Sequence, residues 1–496
     1  MKGNDSIGVV ARGTVYLTAG RITFLLSSVV IHLGLARVLD KLSYGVFGVL
    51  LGLLSVGQAL IMGGSQYAVS KFVAEYPEKS GSIIQRSLRL QLWVTIPSML
   101  GFIACAPFLA SYFKDPSLAY EIRIVGFMLP VYGVFIVYYG ALNGLRLFGY
   151  QALTQIGFNV SKVMLVFVLT LLGLGVSGVI AGYIGAAGFA MILAMCLLRS
   201  RLGRGTLPFG LREMALFALP VFVSSALSMV FLQMDLFLVK RILSDSIMTA
   251  EYTAAAAFGK IPYYLSASVA MAVFPSVASA VARKDWIEVK NYIRAPMRFT
   301  IITMALAAVC LATTSKQFIG FLYPAQFTMA HIPLGVLTGA IGLYSLLTLG
   351  CTVMNAAGEP SKSILAMGLA LIGSYVGCTA LIPRIGIMGA AVGMAIGASA
   401  GLLFIGTTVY ANFKALCSPM TIFRAAMATV CAYYVGRFVA LEGVLLVITY
   451  GAMTAVFLGI LWISREIRNE DIQLLRSAAG LAGARATGHL FEDSSM

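Results

Sequence analysis

"GLGVSGVIAG", residues 173–182, and "RIGIMGAAVG", residues 384–393, are two copies of one pattern. Gly175, Gly178 and Gly182 in the first are matched 211 positions later by Gly386, Gly389 and Gly393. Similar offsets recur twice more: Asn143 in "GALNG" corresponds to Asn355 in "VMNAAG", and "FLASYF" from Phe108 echoes "FIGFLY" from Phe318. A single glycine match means little in a chain with 51 glycines, but a shared spacing in separate places marks an internal repeat. Small residues at such positions also let helices approach closely in lipid.

The surrounding composition says what is repeated. Of 496 residues, 59% are hydrophobic and 11% charged, proportions of a polytopic membrane protein and not of a soluble domain. Windows of about 20 apolar residues span a bilayer, and fourteen are expected, centred from Leu25 to Thr454. The N-terminal "MKGNDSIGVVARGTVYLTAG" lacks a short apolar core before a small-residue cleavage site, so its hydrophobic segment is expected to remain as a span. Each repeat covers six spans, an even number, so both copies point the same way through the membrane. That predicts an all-α integral membrane fold of two parallel six-helix lobes, residues 1–205 and 206–415, related by an axis along the membrane normal. A helix pair at 416–464 and a tail at 465–496 follow. Parallel repeats of this kind hold cargo between lobes that rock against each other, which points to a transporter.

The formal net charge of +16 follows topology. Roughly two-thirds of the 35 Lys and Arg fall in loops on the side of the termini, so both termini are expected in the cytoplasm and the protein in the cell (inner) membrane. No basic tract stands apart from the spans and no base-stacking motif accompanies it, which argues against nucleic acid. The seven cysteines are scattered through apolar segments without a CxxC pair, and read as small buried hydrophobes with no metal.

Polar residues inside the spans are the candidate site. An Asp at a helix centre costs about 2.5 to 3.5 kcal/mol on insertion scales, and Asp235 sits in "FLQMDLFLVK". Thr14, Thr18, Arg21, Ser28 and His32 share one face of the first span; Gln151, Gln155, Asn159 and Lys162 do so in the fifth; Ser224, Ser228 and Asp235 line up in the seventh. Lys260 lies beside Tyr263 and Tyr264. Such residues face a bundle interior or a wet cavity. Lys240 and Arg241 are poorly spaced to meet Asp235 along a helix, so Asp235 is expected to face the space between lobes with Lys260 or His32 as partner. Snorkelling of Arg21 or Asp235, or helix-tying by Lys162, are the alternatives. Three permanent cations, Arg21, Lys162 and Lys260, against one carboxylate favour an anionic cargo. Asn143 and Asn355 close spans at the cytoplasmic face, as helix-end caps or as a gate.

With these pieces assembled, the "NG" and "NAAGEPSKSI" corners, "LIPRIGIMGAAVG", and "MDLFLVKRILSDSIMTAEYTAAAAFGKIPYYLSASVAMAVFPSVAS" (residues 234–279), the chain resembles the polysaccharide-flippase branch of the multidrug/oligosaccharidyl-lipid/polysaccharide exporter superfamily. The resemblance implies a V-shaped pair of lobes, alternating access, and translocation of an isoprenoid-pyrophosphate-linked oligosaccharide from the cytoplasmic to the outer leaflet for surface polysaccharide synthesis. It places Arg21, Lys162 and Lys260 around pyrophosphate and sugars, and Gln155, Asn159 and Tyr264 join them as candidate substrate contacts. Asp235 and His32 are candidate coupling or charge-pair residues. A proton or sodium ion coupled through Asp235 remains open beside the membrane potential, worth roughly 2.3 kcal/mol per charge per 100 mV; no other cofactor is expected. A monomer in the bilayer is expected, with proteins of polysaccharide assembly as optional partners.

Three other functions compete. A drug/cation antiporter of the same superfamily would present carboxylates to its cargo; a lipid II flippase would carry further basic cavity residues; a membrane enzyme would need convergent acid/base groups on a sizeable loop, and the outer loops around Lys114 and Lys316 are short.

Overall fold

A computed structural model describes residues 3–199, 202, 211–439 and 441–466. The side chains of Thr14 and Ser224, the junction at 205/206 and the tail beyond Glu466 lie outside the described residues. Sixteen α-helices follow one another with no strand among the described residues: α1 Gly3–Val38, α2 Lys41–Glu75, α3 Ser80–Tyr112, α4 Leu118–Gly144, α5 Phe148–Leu169, α6 Gly175–Leu198, α7 Leu211–Leu243, α8 Ser246–Gly259, α9 Ile261–Ala282, α10 Trp286–Thr313, α11 Ser315–Leu322, α12 His331–Ala356, α13 Pro360–Ile385, α14 Ile387–Phe413, α15 Pro419–Phe438 and α16 Leu446–Ile463. The chain is a multi-pass membrane protein. Ten described stretches are long and apolar enough to cross a bilayer, against the fourteen expected. One of the ten, Phe148–Leu198, contains both α5 and α6; α7, the α8–α9 pair and α15 fall outside them. α15 carries Arg424 and Arg437, which lowers its hydropathy.

The repeat is visible in the packing. In the first half α1 packs on α5, α2 on α4, α3 on α4, α4 on α6 and α5 on α6; in the second, α7 packs on α13, α9 on α12, α10 on α12, α12 on α14 and α13 on α14. The duplicated glycines explain the α5–α6 and α13–α14 corners. Gly175 (φ 53°, ψ −132°) and Gly386 (φ 59°, ψ −141°) share a backbone conformation open essentially to glycine alone. A Cβ at Gly178 would come 2.9 Å from the Leu169 carbonyl carbon, and one at Gly389 2.5 Å from that of Leu381. These helices therefore touch backbone to backbone. The copies differ locally: the first corner has a kink before Gly175, where Gly173 takes φ 89° and ψ 6°.

Contact between the halves is carried mainly by α2, which lies against α7 and α8. Its glycines Gly45 and Gly48 have no room for a side chain, because a Cβ there would overlap the Ser246 carbonyl and the Thr253 side chain.

Candidate functional site

In the first half the polar stripes meet along the seam between α1 and α5. Gly20 packs on Gln155, the Asn159 amide donates to the Thr23 hydroxyl at 3.4 Å, and Phe24 lies beside the Lys162 ammonium. Thr23 and Phe24 follow Gly20 by three and four positions, and Gln155, Asn159 and Lys162 are four and three apart, so each set lies on one face of its helix. Asn159 keeps a buried carbonyl oxygen without a hydrogen-bond partner. Arg21 is exposed and close enough to Tyr139 for its charge to act on that phenol.

Lys162 is 3% exposed. Its ammonium stands 5.3 Å from the ring centroid of Phe24 and 5.5 Å from those of Phe158 and Tyr183. No carboxylate among the described residues pairs with it. Ring faces attract a cation through their quadrupoles but leave its charge uncancelled. Lys162 is thus a caged, formally unneutralised cation.

The second half is built differently. Pro262, without an N–H, is best accommodated in the first turn of a helix; it stands there at the start of α9, and Lys260 sits at the break between α8 and α9. From there its ammonium reaches Asp235 on α7 at 3.0 Å and also donates to the Leu232 carbonyl. Asp235 accepts further bonds from the Tyr252 hydroxyl at 2.8 Å and the Leu236 N–H at 2.9 Å. It is completely buried. The expectation that Asp235 faces the inter-lobe space is therefore corrected: three donors from α7, α8 and the α8–α9 break hold the carboxylate inside the second half. Of its two expected partners, Lys260 is the one in contact. His32 instead shares a 3.0 Å hydrogen bond with Tyr44. Lys240 is drawn away, to Asp115 at 2.7 Å.

Aromatic rings join the two halves. Tyr264, one turn beyond Lys260, meets Phe24 edge-on at 5.8 Å; its neighbour Tyr263 lies 5.4 Å from Tyr344, which stacks on Phe231 at 4.7 Å. Phe24 thus touches both the Lys162 ammonium and Tyr264 of the second half. Phe24, Phe158, Tyr183 and Tyr252 escaped the sequence reading because an aromatic residue inside an apolar span carries no signal of its own.

The gate candidates are placed elsewhere. Asn143 bonds to Ser70 on α2 at 2.6 Å and Gln151 on α5 at 3.0 Å, all within the first half. Asn355 has a buried carbonyl oxygen without a partner. No contact described for either crosses between lobes.

The bonds that do cross lie at the membrane face opposite the termini. Lys41 pairs with Glu251 at 2.6 Å, Arg37 donates to the Leu322 carbonyl at 2.7 Å, and Lys240, which also bonds Ser246 of its own half, holds Asp115. Tyr44 approaches Tyr323 and Phe327, and Phe113 approaches Phe237. Burial alone would raise the Asp115 carboxyl, but the bonds from Lys240 and Ser117 outweigh it and hold it below the usual carboxylate value. The lobes are closed at this end. Lys41 and Glu251 carried no mark in the sequence, since neither repeats nor falls in a polar stripe.

Comparison with known proteins fits this geometry. The model of a family described as polysaccharide biosynthesis protein matches residues 9–281, more than half of the chain. No curated protein matches. Among solved structures, the lipid II flippase MurJ in an inward closed conformation superposes with a TM-score of 0.74 at 14% identity, covering 92% of this chain and 99% of that one. An inward-facing multidrug resistance MATE family transporter gives 0.61 at 16% identity over 81% of this chain and 99% of that one. A eukaryotic MATE transporter gives 0.60 at 16% over 85% and 100%. At these identities the likeness is one of fold. The chain belongs to the polysaccharide biosynthesis protein family.

Proposed function

We propose that the protein is a flippase that carries an isoprenoid-pyrophosphate-linked oligosaccharide from the cytoplasmic to the outer leaflet by alternating access. The observation that carries this reading is Lys162: a buried ammonium with aromatic neighbours and no paired carboxylate, one ring away from the Phe24–Tyr264 contact that joins the halves. A charge left in that condition costs free energy unless a ligand completes it, and a pyrophosphate supplies the missing anion. Phe24, Tyr183 and Tyr264 offer faces for sugar rings, and Gln155 and Asn159 offer amides, one with an unused buried acceptor.

The closed outer end fits the loading state of such a cycle, in which cargo enters from the cytoplasmic leaflet. The charge bias of the loops puts both termini in the cytoplasm and the protein in the cell membrane. Outward movement of a diphosphate then runs with an interior-negative potential. Asp235 is already neutralised by Lys260, which weakens the reading as an antiporter of cationic drugs and weakens coupling through that carboxylate. Deleting the gene tests the proposal: lipid-linked oligosaccharide should accumulate in the inner leaflet and return to normal with the wild-type gene. Unchanged surface glycan and no accumulation would overturn it.

A further inference from the structure

Away from the inter-lobe space, a cleft of about 1010 Å³ opens at the membrane face that carries the termini, between α10, the end of α14, the start of α15 and the segment after α16. Its charged lining is Arg294, Arg298, Lys414, Arg424, Arg465 and Glu466. Five cations thus surround one carboxylate. That carboxylate is already engaged: Glu466 is 5% exposed, one oxygen accepts from Arg424 at 2.7 Å and the other from the Thr421 hydroxyl at 2.6 Å. Arg294 and Arg298 are one turn apart on α10, and Lys414 and Arg465 sit in left-handed backbone conformations (φ 51° and 57°) just beyond α14 and α16. The chain ends two helices by turning basic side chains toward one hollow.

Such an arrangement calls for an anion with several acceptor oxygens, since guanidinium groups bind phosphoryl oxygens through paired, charge-assisted hydrogen bonds. The surface beside the cleft identifies the bearer. Met420, Ile422 and Phe423 on the first turns of α15 are more than half exposed, as is Tyr410 on α14, a belt suited to acyl chains next to the charge. We propose that this cleft binds the phosphoryl headgroup of an anionic membrane phospholipid, bridging α15–α16 to the second lobe through α10. The inference is independent of the cargo assigned above.

Native mass spectrometry of the full chain in detergent tests it, with phosphatidylglycerol and phosphatidylcholine as probes. The wild type should retain at least one phosphatidylglycerol in preference to phosphatidylcholine, and inorganic phosphate in molar excess should not displace it. The triple substitution Arg294→Gln, Lys414→Gln, Arg465→Gln should weaken that retention by about tenfold or more, the loss of at least one charge-assisted contact. Equal retention of both lipids by the wild type, displacement by inorganic phosphate, or undiminished preference in the triple variant would each overturn the proposal. The first two outcomes need no mutant, so a variant that fails to fold leaves the test intact.

Discussion

Buried Lys162 and half-buried Lys260 should respond differently to the same substitution. Lys260→Met removes the ammonium that faces Asp235, a carboxylate with no exposure. Tyr252 and the Leu236 N–H remain as donors, but they do not cancel a charge, and breaking a buried pair from one side costs about 3–5 kcal/mol. Removing the other partner should cost less, because in Asp235→Asn the ammonium keeps the Leu232 carbonyl and, at 14% exposure, some water. The double variant should recover most of the loss, since deleting both charges is commonly close to neutral. Lys162→Met is the contrasting case. It forfeits three cation–ring contacts, at about 2 kcal/mol each for a desolvated cation, and gains back a desolvation penalty of several kcal/mol. The net change should be near zero. Heating purified protein in detergent and measuring the fraction that stays monodisperse ranks all four variants. A Lys260→Met no weaker than Asp235→Asn, a double variant weaker than either single one, or a Lys162→Met that unfolds as readily as Lys260→Met would refute this account of the charges.

Other outcomes follow from the closed end. Lys41→Ala leaves the Glu251 carboxylate, 1% exposed, without its cation, so the lobes should separate there; spin-label distances between the starts of α2 and α8 should lengthen, and an unchanged distribution would count against the pair as a latch. Gly48→Leu forces a side chain into the Thr253 contact and should shift the same distances in the same direction while helix content holds. The Asp115–Lys240 link should be indifferent to mild acid. A carboxyl lowered in the folded protein keeps its stabilising contribution above its ordinary value and loses it only as pH falls through the lowered one, so the distances should not change between about pH 5 and 8 on its account; a transition in that window abolished by Asp115→Asn would contradict the assignment.

Much of the architecture was legible because periodic hydrophobicity and a repeated glycine spacing are backbone requirements. Gly175 and Gly386 recur because one corner conformation recurs, and Gly178, Gly182, Gly389 and Gly393 recur because two helix pairs touch at backbone distance. The candidate site was legible only in part. Lys162 and Lys260 stood out as charges in spans; of the two partners left open for Asp235, Lys260 or His32, Lys260 is the one in contact. Which way Asp235 faces was not readable, because the answer rests on Tyr252 and on the break made by Pro262, contacts between helices that periodicity does not report. The aromatic cage of Lys162 draws on α1, α5 and α6, and the Lys41–Glu251 pair spans 210 positions; such pairings exist only after the lobes have packed.

The central claim is that Lys162 completes its charge with the pyrophosphate of a lipid-linked glycan. Purified protein in liposomes, loaded with a fluorescent isoprenoid-pyrophosphate oligosaccharide and probed with a membrane-impermeant quencher, measures its passage between leaflets. Wild-type protein should accelerate passage, and Lys162→Met, folded and comparably heat-resistant, should abolish it, while a neutral isoprenoid glycan without phosphate should not be carried by either. Equal rates for Lys162→Met and the wild type, or equal carriage of the uncharged lipid, would contradict the claim.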